Sequence, residues 1–159
     1  MNLTRLLFLF STLFILFSCG PKYALKQSYT INNNAWAYAD SLRFEFNIAD
    51  TTTLYDLLLD IKHTTAFSSQ NLYTRISTQF PSGTRLSKPL SLELANAAGE
   101  WQGNCNAKSC TLEIPIQQGA YFNQTGSYAI TIEQFMRDSV VNGVQSITLK
   151  VIETGEKRL

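Results

Sequence analysis

The sequence predicts an all-β protein, a single antiparallel β-sandwich or jelly roll. Three observations carry that prediction: seven runs in which apolar and polar residues alternate, glycine- or asparagine-bearing turns between them, and no clean helical period longer than about ten residues. With no crossover helices to join parallel strands, seven or eight strands must pair antiparallel. An up-and-down barrel is the second choice.

The runs follow in chain order. In 42–48, Leu42, Phe44, Phe46 and Ile48 share one face while Arg43, Glu45 and Asn47 share the other, which is a strand with one side buried. Residues 55–62 repeat the pattern with Tyr55, Leu57, Leu59 and Ile61. The runs 72–80, 90–95, 111–116, 127–135 and 146–152 continue it, and Pro115, which has no N–H to give a ladder, marks an edge strand or a bulge. Turns are expected at 80–84, 96–100, 123–126 and 141–144, each with a residue that tolerates positive φ. The stretch 133–141 is expected to close as one helical turn.

The N-terminus has a different logic. The apolar run from Leu6 to Phe17 is shorter than the roughly 20 residues that span a bilayer, and Arg5 before it and Ser18 after it give the order of an export signal. Leu16-Phe17-Ser18-Cys19 resembles the bacterial lipobox, whose cysteine thiol takes a diacylglyceryl group and becomes the mature N-terminus. The expected organisation is a lipoprotein signal peptide over 1–18, a lipidated N-terminus and tether over 19–35, and the β domain over 36–159. Lipidation at Cys19 anchors the chain to a membrane without spanning it. Two cysteines then remain, and in an oxidising compartment Cys105 and Cys110 are expected to form a disulfide that pins a hairpin tip. A C-x4-C pair with one distant histidine, His63, is too poor in ligands for structural zinc, and no metal or cofactor is expected.

Removing 1–18 costs one basic residue, leaving 12 Lys and Arg against 12 Asp and Glu. Nucleic-acid binding is therefore not expected, because the basic residues are scattered and form no stripe. Catalysis is not expected either. His63 lies at a strand end with no G-x-S-x-G turn in the chain, and reads as a satisfied structural histidine. Glu45, Asp60, Glu93, Glu113 and Glu133 sit among outward positions where solvated charge is the default.

Binding is the remaining class. Arg137, in "IEQFMR", is the expected partner contact through a bidentate pair with a carboxylate, with internal pairing to Glu133 as the alternative. Trp36, Tyr38, Tyr73, Trp101 and Tyr121 lie in or beside expected loops and could present flat rings to a carbohydrate or peptidoglycan, Trp101 and Tyr121 being the candidates retained for partner or glycan contact. Ser41, Thr51 and Ser139 each follow an aspartate in a pattern that resembles bacterial O-glycosylation signals, with Asx-turns as the structural alternative.

These segments together resemble one family. After the lipobox come W-x-Y-x-D-S-L-R-F-E-F-N-I-x-D-T (36–51), Y-D-L-L-L-D-I-K-H-T (55–64), N-L-Y (71–73), G-E-W-x-G (99–103), G-x-Y (119–121) and I-E-Q-x-M-R (132–137). Their order and spacing are similar to those of the gliding-motility lipoprotein GldH family of the Bacteroidota, over essentially the whole mature domain. The chain departs from that pattern at Lys62, where the family carries arginine, and in the cysteine hairpin. The resemblance implies an outer-membrane lipoprotein needed for gliding, in a set that overlaps the type IX secretion machinery, and it does not specify a biochemical activity of the protein's own. A non-catalytic scaffold is the expected role, held by lipid and facing the periplasm, since no acidic run follows Cys19. Its expected partners are other gliding and type IX secretion envelope proteins. A carbohydrate- or peptidoglycan-binding module is the alternative.

Overall fold

The computed structural model describes residues 20–158. Eleven strands lie in two facing sheets and a small closing ribbon: β1 (Lys22–Thr30), β2 (Ala35–Ala37), β3 (Leu42–Ile48), β4 (Thr53–Thr64), β5 (Asn71–Gln79), β6 (Arg85–Glu93), β7 (Asn104–Cys105), β8 (Ser109–Tyr121), β9 (Gly126–Gln134), β10 (Val140–Asn142) and β11 (Val144–Lys157). The five-stranded sheet runs β1-β11-β4-β8-β7 and the four-stranded sheet β3-β9-β5-β6, while β10 pairs with β2. Every pairing is antiparallel. The chain passes repeatedly from one sheet to the other, so the architecture is the sandwich that alternation predicts.

The core is the inward face of the predicted runs. Phe44, Ile48, Leu59, Ile61, Leu72, Ile130, Ile132, Ile147 and Leu149 are fully buried between the sheets, each worth ~1.5–3 kcal/mol relative to exposure. Toward one end the filling turns aromatic. Phe122 packs edge-on against Tyr128, Tyr55 and Phe46 at centroid separations of 4.7, 5.3 and 5.5 Å, and the Tyr128 hydroxyl, buried with its ring, donates to the Gln124 carbonyl at 3.0 Å. On the outer face of the larger sheet Lys150 reaches Asp60 at 2.6 Å and Glu113 at 2.7 Å. Burial opposes the ammonium charge there, yet the two carboxylates raise its pKa above the ordinary value.

Pro115 falls where β8 is an edge, because β7 reaches only as far as Thr111, and the β4–β8 register shifts beside it. Gly103 is required where it stands. Its φ is +86°, and a Cβ there would lie 2.3 Å from the Thr111 carbonyl oxygen, so only glycine lets this turn close onto β8.

Two expectations are corrected. The segment 19–35 is not a tether from Lys22 onward: β1 pairs with β11 along its length, Leu25, Gln27 and Tyr29 standing opposite buried Val151, Leu149 and Ile147. A register shift between Tyr23 and Leu25, and the polar Gln27 on the inward side, blur the alternation that would have revealed it. Cys19, where lipidation is expected, lies outside the described residues, as do residues 1–18, where a signal peptide is expected. The stretch 133–141 is not a helical turn either. It is the end of β9, an irregular loop and the start of β10, held in a way described next.

Candidate functional site

Strand β9 carries its alternation one step past the apolar residues. Tyr128, Ile130 and Ile132 point inward, so Gln134 does too and is buried, which turns Phe135 outward to 45% exposure. A buried amide needs partners, and the loop after it supplies them. Gln134 Nε2 donates to the carbonyls of Asp138 (3.1 Å) and Ser139 (3.2 Å), while its Oε1 accepts from the Met136 N–H (2.9 Å). The amide thus replaces the hydrogen bonds a helical turn would have made, which is why no helix forms.

Tyr73 of β5 and Tyr38, just past β2, fasten the same loop. Phe135 N–H donates to the Tyr73 carbonyl (2.8 Å), Tyr38 N–H to the Ser139 carbonyl (2.9 Å), and the Tyr38 hydroxyl to the Met136 carbonyl. The result is a loop with its backbone secured and its side chains turned out. Tyr38, Tyr73, Phe135 and Val140 are exposed around it, the Arg75 guanidinium lies 4.2 Å over the Phe135 ring, and a cavity of about 650 Å³ opens beside Phe67, Met136 and Arg137. Arg137 is exposed and makes no ion pair among the described residues. Glu133, its expected internal partner, instead accepts from the Ser41 hydroxyl at 3.1 Å. Exposed aromatics around an arginine are the composition of an interaction surface.

The other sequence candidates are dispersed. Trp36 is fully buried in β2, its indole donating to the Asp40 carbonyl at 2.7 Å, and so presents no ring to solvent. Trp101 is half-buried, packed 4.6 Å from the ring of His63, with Phe67 6.3 Å away. His63 itself is fully buried, and burial holds its pKa below the ordinary imidazole value. Its Nδ1 lies 2.9 Å from the Thr64 carbonyl, which can only accept, so Nδ1 carries the proton. Nε2 is left buried without a partner, so the expectation of a fully satisfied histidine is corrected. Cys105 and Cys110 are disulfide-bonded between β7 and β8. Tyr121 lies at the opposite end of the sandwich from Arg137, with the Arg158 guanidinium 4.6 Å over its ring.

Of the three hydroxyls after aspartates, Ser41 and Ser139 flank the Arg137 loop, whereas Thr51 lies at the Tyr121 end. There Asp50 accepts from the Thr52 N–H (2.8 Å) and hydroxyl (2.7 Å), an Asx-turn, and its pairing with Lys157, ahead of these bonds, holds its carboxyl well below the usual range. Among the described residues no group of three or more His, Cys, Asp or Glu is placed to hold a metal. Phe135, Val140 and Gln134 were not legible as site residues, although the period-two signal in 127–135 already assigns Gln134 inward and Phe135 outward.

Comparison with known proteins adds the lineage. The GldH lipoprotein family matches residues 24–151. A gliding motility lipoprotein GldH homolog of Christiangramia forsetii is 27% identical over 141 residues, 88% of this chain and 86% of that protein. The gliding motility lipoprotein GldH of Flavobacterium johnsoniae is 25% identical over 134 residues, 84% and 82% respectively. Among solved structures, a carbohydrate-binding module specific for non-crystalline cellulose is similar with a TM-score of 0.41 and 12% identity, over 86% of this chain and 74% of that one, a likeness too loose to bear on ligand. The match over 24–151 runs from within β1 to within β11 and includes the loop that carries Arg137, and the chain belongs to the GldH lipoprotein family.

Proposed function

We propose that the protein is a lipid-anchored component of the gliding machinery, attached to the outer membrane through Cys19, facing the periplasm, and acting by assembly with other envelope proteins, including those of type IX secretion, without catalysis. The observation that carries this reading is the secured loop after β9. It holds Arg137, without an ion pair among the described residues, beside exposed Tyr38, Tyr73, Phe135 and Val140, where a partner's carboxylate would meet a fork of donors and its apolar side chains a ready surface. The relatives' names support the gliding role. A glycan platform is the weaker reading, since both tryptophans pack inward.

Arg137→Ala tests it in cells that glide. An exposed arginine without an ion pair is worth under about 0.5 kcal/mol to the fold, so Tm is expected to stay put while gliding and partner crosslinking are lost. Arg137→Lys is expected to recover little, because an ammonium lacks the planar fork. Normal gliding in the alanine variant, or a clear fall in Tm, would count against the reading.

A further inference from the structure

The distance between the anchor and the first strand has a consequence for how the domain meets its membrane. We infer that the sandwich does not stand off on a leash but rests end-on against the lipid headgroups, through the end bearing Lys22, Tyr23, Tyr121 and Arg158. This rests on the lipidation of Cys19 proposed above.

The argument begins with reach. Only Gly20 and Pro21 separate Cys19 from Lys22, the first residue of β1, so three virtual bonds cover at most ~11 Å. Lys22 is not a loose end. It stands opposite Glu153 of β11, which stands opposite Tyr55 of β4, which stands opposite Ala120 of β8, one transverse row across the end of the larger sheet. Lys22 and Glu153 are also ion-paired at 2.8 Å. Acyl chains on Cys19 must enter the hydrocarbon, and the headgroup layer on each side of a bilayer is only ~5–8 Å deep. The leash is thus about as long as the layer it crosses, and the row lies at its surface.

The side chains at this end suit that position. Tyr23 and Tyr121 are both exposed, and each is paired with a cation, Lys26 at 5.2 Å from the first ring and Arg158 at 4.6 Å from the second. Tyrosine with an amphipathic cation beside it is the pairing favoured at a membrane interface, where rings sit among headgroups and long basic side chains reach phosphate. The same end carries the Asp50–Thr52 turn, whose Asp50 carboxylate is paired with Lys157, and the turns bordering the other sheet: Ser82 N–H donates to Gln124 Oε1 at 3.3 Å, and Gly126 lies against Pro81. At the opposite end are the disulfide hairpin, Trp101 and the Arg137 loop. End-on docking therefore holds the Arg137 surface away from the lipid, roughly 35 Å along the 12-residue strand β4.

The test uses the full lipidated protein, purified from membranes and reconstituted in phosphatidylethanolamine–phosphatidylglycerol vesicles that carry a headgroup nitroxide. Thr125→Cys, in the turn beside Gln124, and Ser68→Cys, beside the distal cavity, each take one thiol-reactive fluorophore; both positions are exposed. Strong quenching at position 125 with little at 68 is the expected result. Equal weak quenching at both, with the protein still floating with the vesicles, leaves the anchor standing and overturns the docking. Protein that fails to float overturns the anchor and the docking together.

Discussion

His63 shows how one side chain links fold and pH. Its ring is sealed by Trp101 and Phe67, and burial makes the folded protein a poorer proton acceptor than the unfolded chain, whose imidazole titrates near the ordinary 6.5. The unfolded state therefore binds more protons as pH falls, so this contribution to stability is whole above about pH 7 and is lost as pH drops through 6.5 toward the depressed folded value. Tm measured between pH 8 and about pH 5 is expected to fall for the natural protein. In His63→Phe the part of the fall near 6.5 disappears, leaving the carboxylate part at lower pH. Parallel Tm–pH curves for the two proteins would contradict this. The residue scale also holds the inverted pair Gln134 and Phe135, a polar side chain buried and an aromatic one exposed. Both choices follow from strand period, and both make sense once the loop and its surface are seen together.

Strand β1 is where the elements have the most to say about the sequence. A tether can be cut without harm, whereas an edge strand covers its neighbour's N–H and C=O groups and part of the core. Leu25 and Tyr29 pack against the core, Tyr29 meeting Phe44 edge-on at 5.0 Å. A chain begun at Asn32 is therefore expected to aggregate or lose its cooperative unfolding transition, as sedimentation and thermal denaturation would show. A truncation that stays monomeric with Tm unchanged would return these residues to the status of linker. Seven strands were visible as runs; 42–48 coincides with β3, but β6 begins at Arg85, before the expected 90. Its outer edge is exposed almost throughout, so the alternation that marks a half-buried strand is missing there. The short strands β2, β7 and β10 have two or three residues each, too few to show a period at all.

At the scale of the whole molecule the two ends of the sandwich differ. One carries the start of β1 with the tyrosine–cation pairs, and the other the disulfide hairpin and the Arg137 loop. Inserting ten Gly and Ser residues after Pro21 alters no strand, so Tm is expected to be unchanged, but it adds a coil of about 17 Å mean span. Quenching of the Thr125 label should then fall in vesicles where the unmodified leash gives it. Undiminished quenching would mean that leash length does not set the domain's position.

Amino-acid order alone determined the class of the fold and the positions of its main strands and turns, and it carried the expectation of an export signal over 1–18, because those are written in neighbours one, two or a few residues apart. It also carried the family resemblance, which needs only order and spacing. The tertiary structure alone decided that residues 22–30 close the larger sheet, that Trp36 and Trp101 turn inward, that Gln134 secures the Arg137 loop, and that Tyr121 and Arg137 lie at opposite ends. Each of these depends on which strands become neighbours, and that is settled by packing between residues far apart in the chain, on which local periodicity is silent.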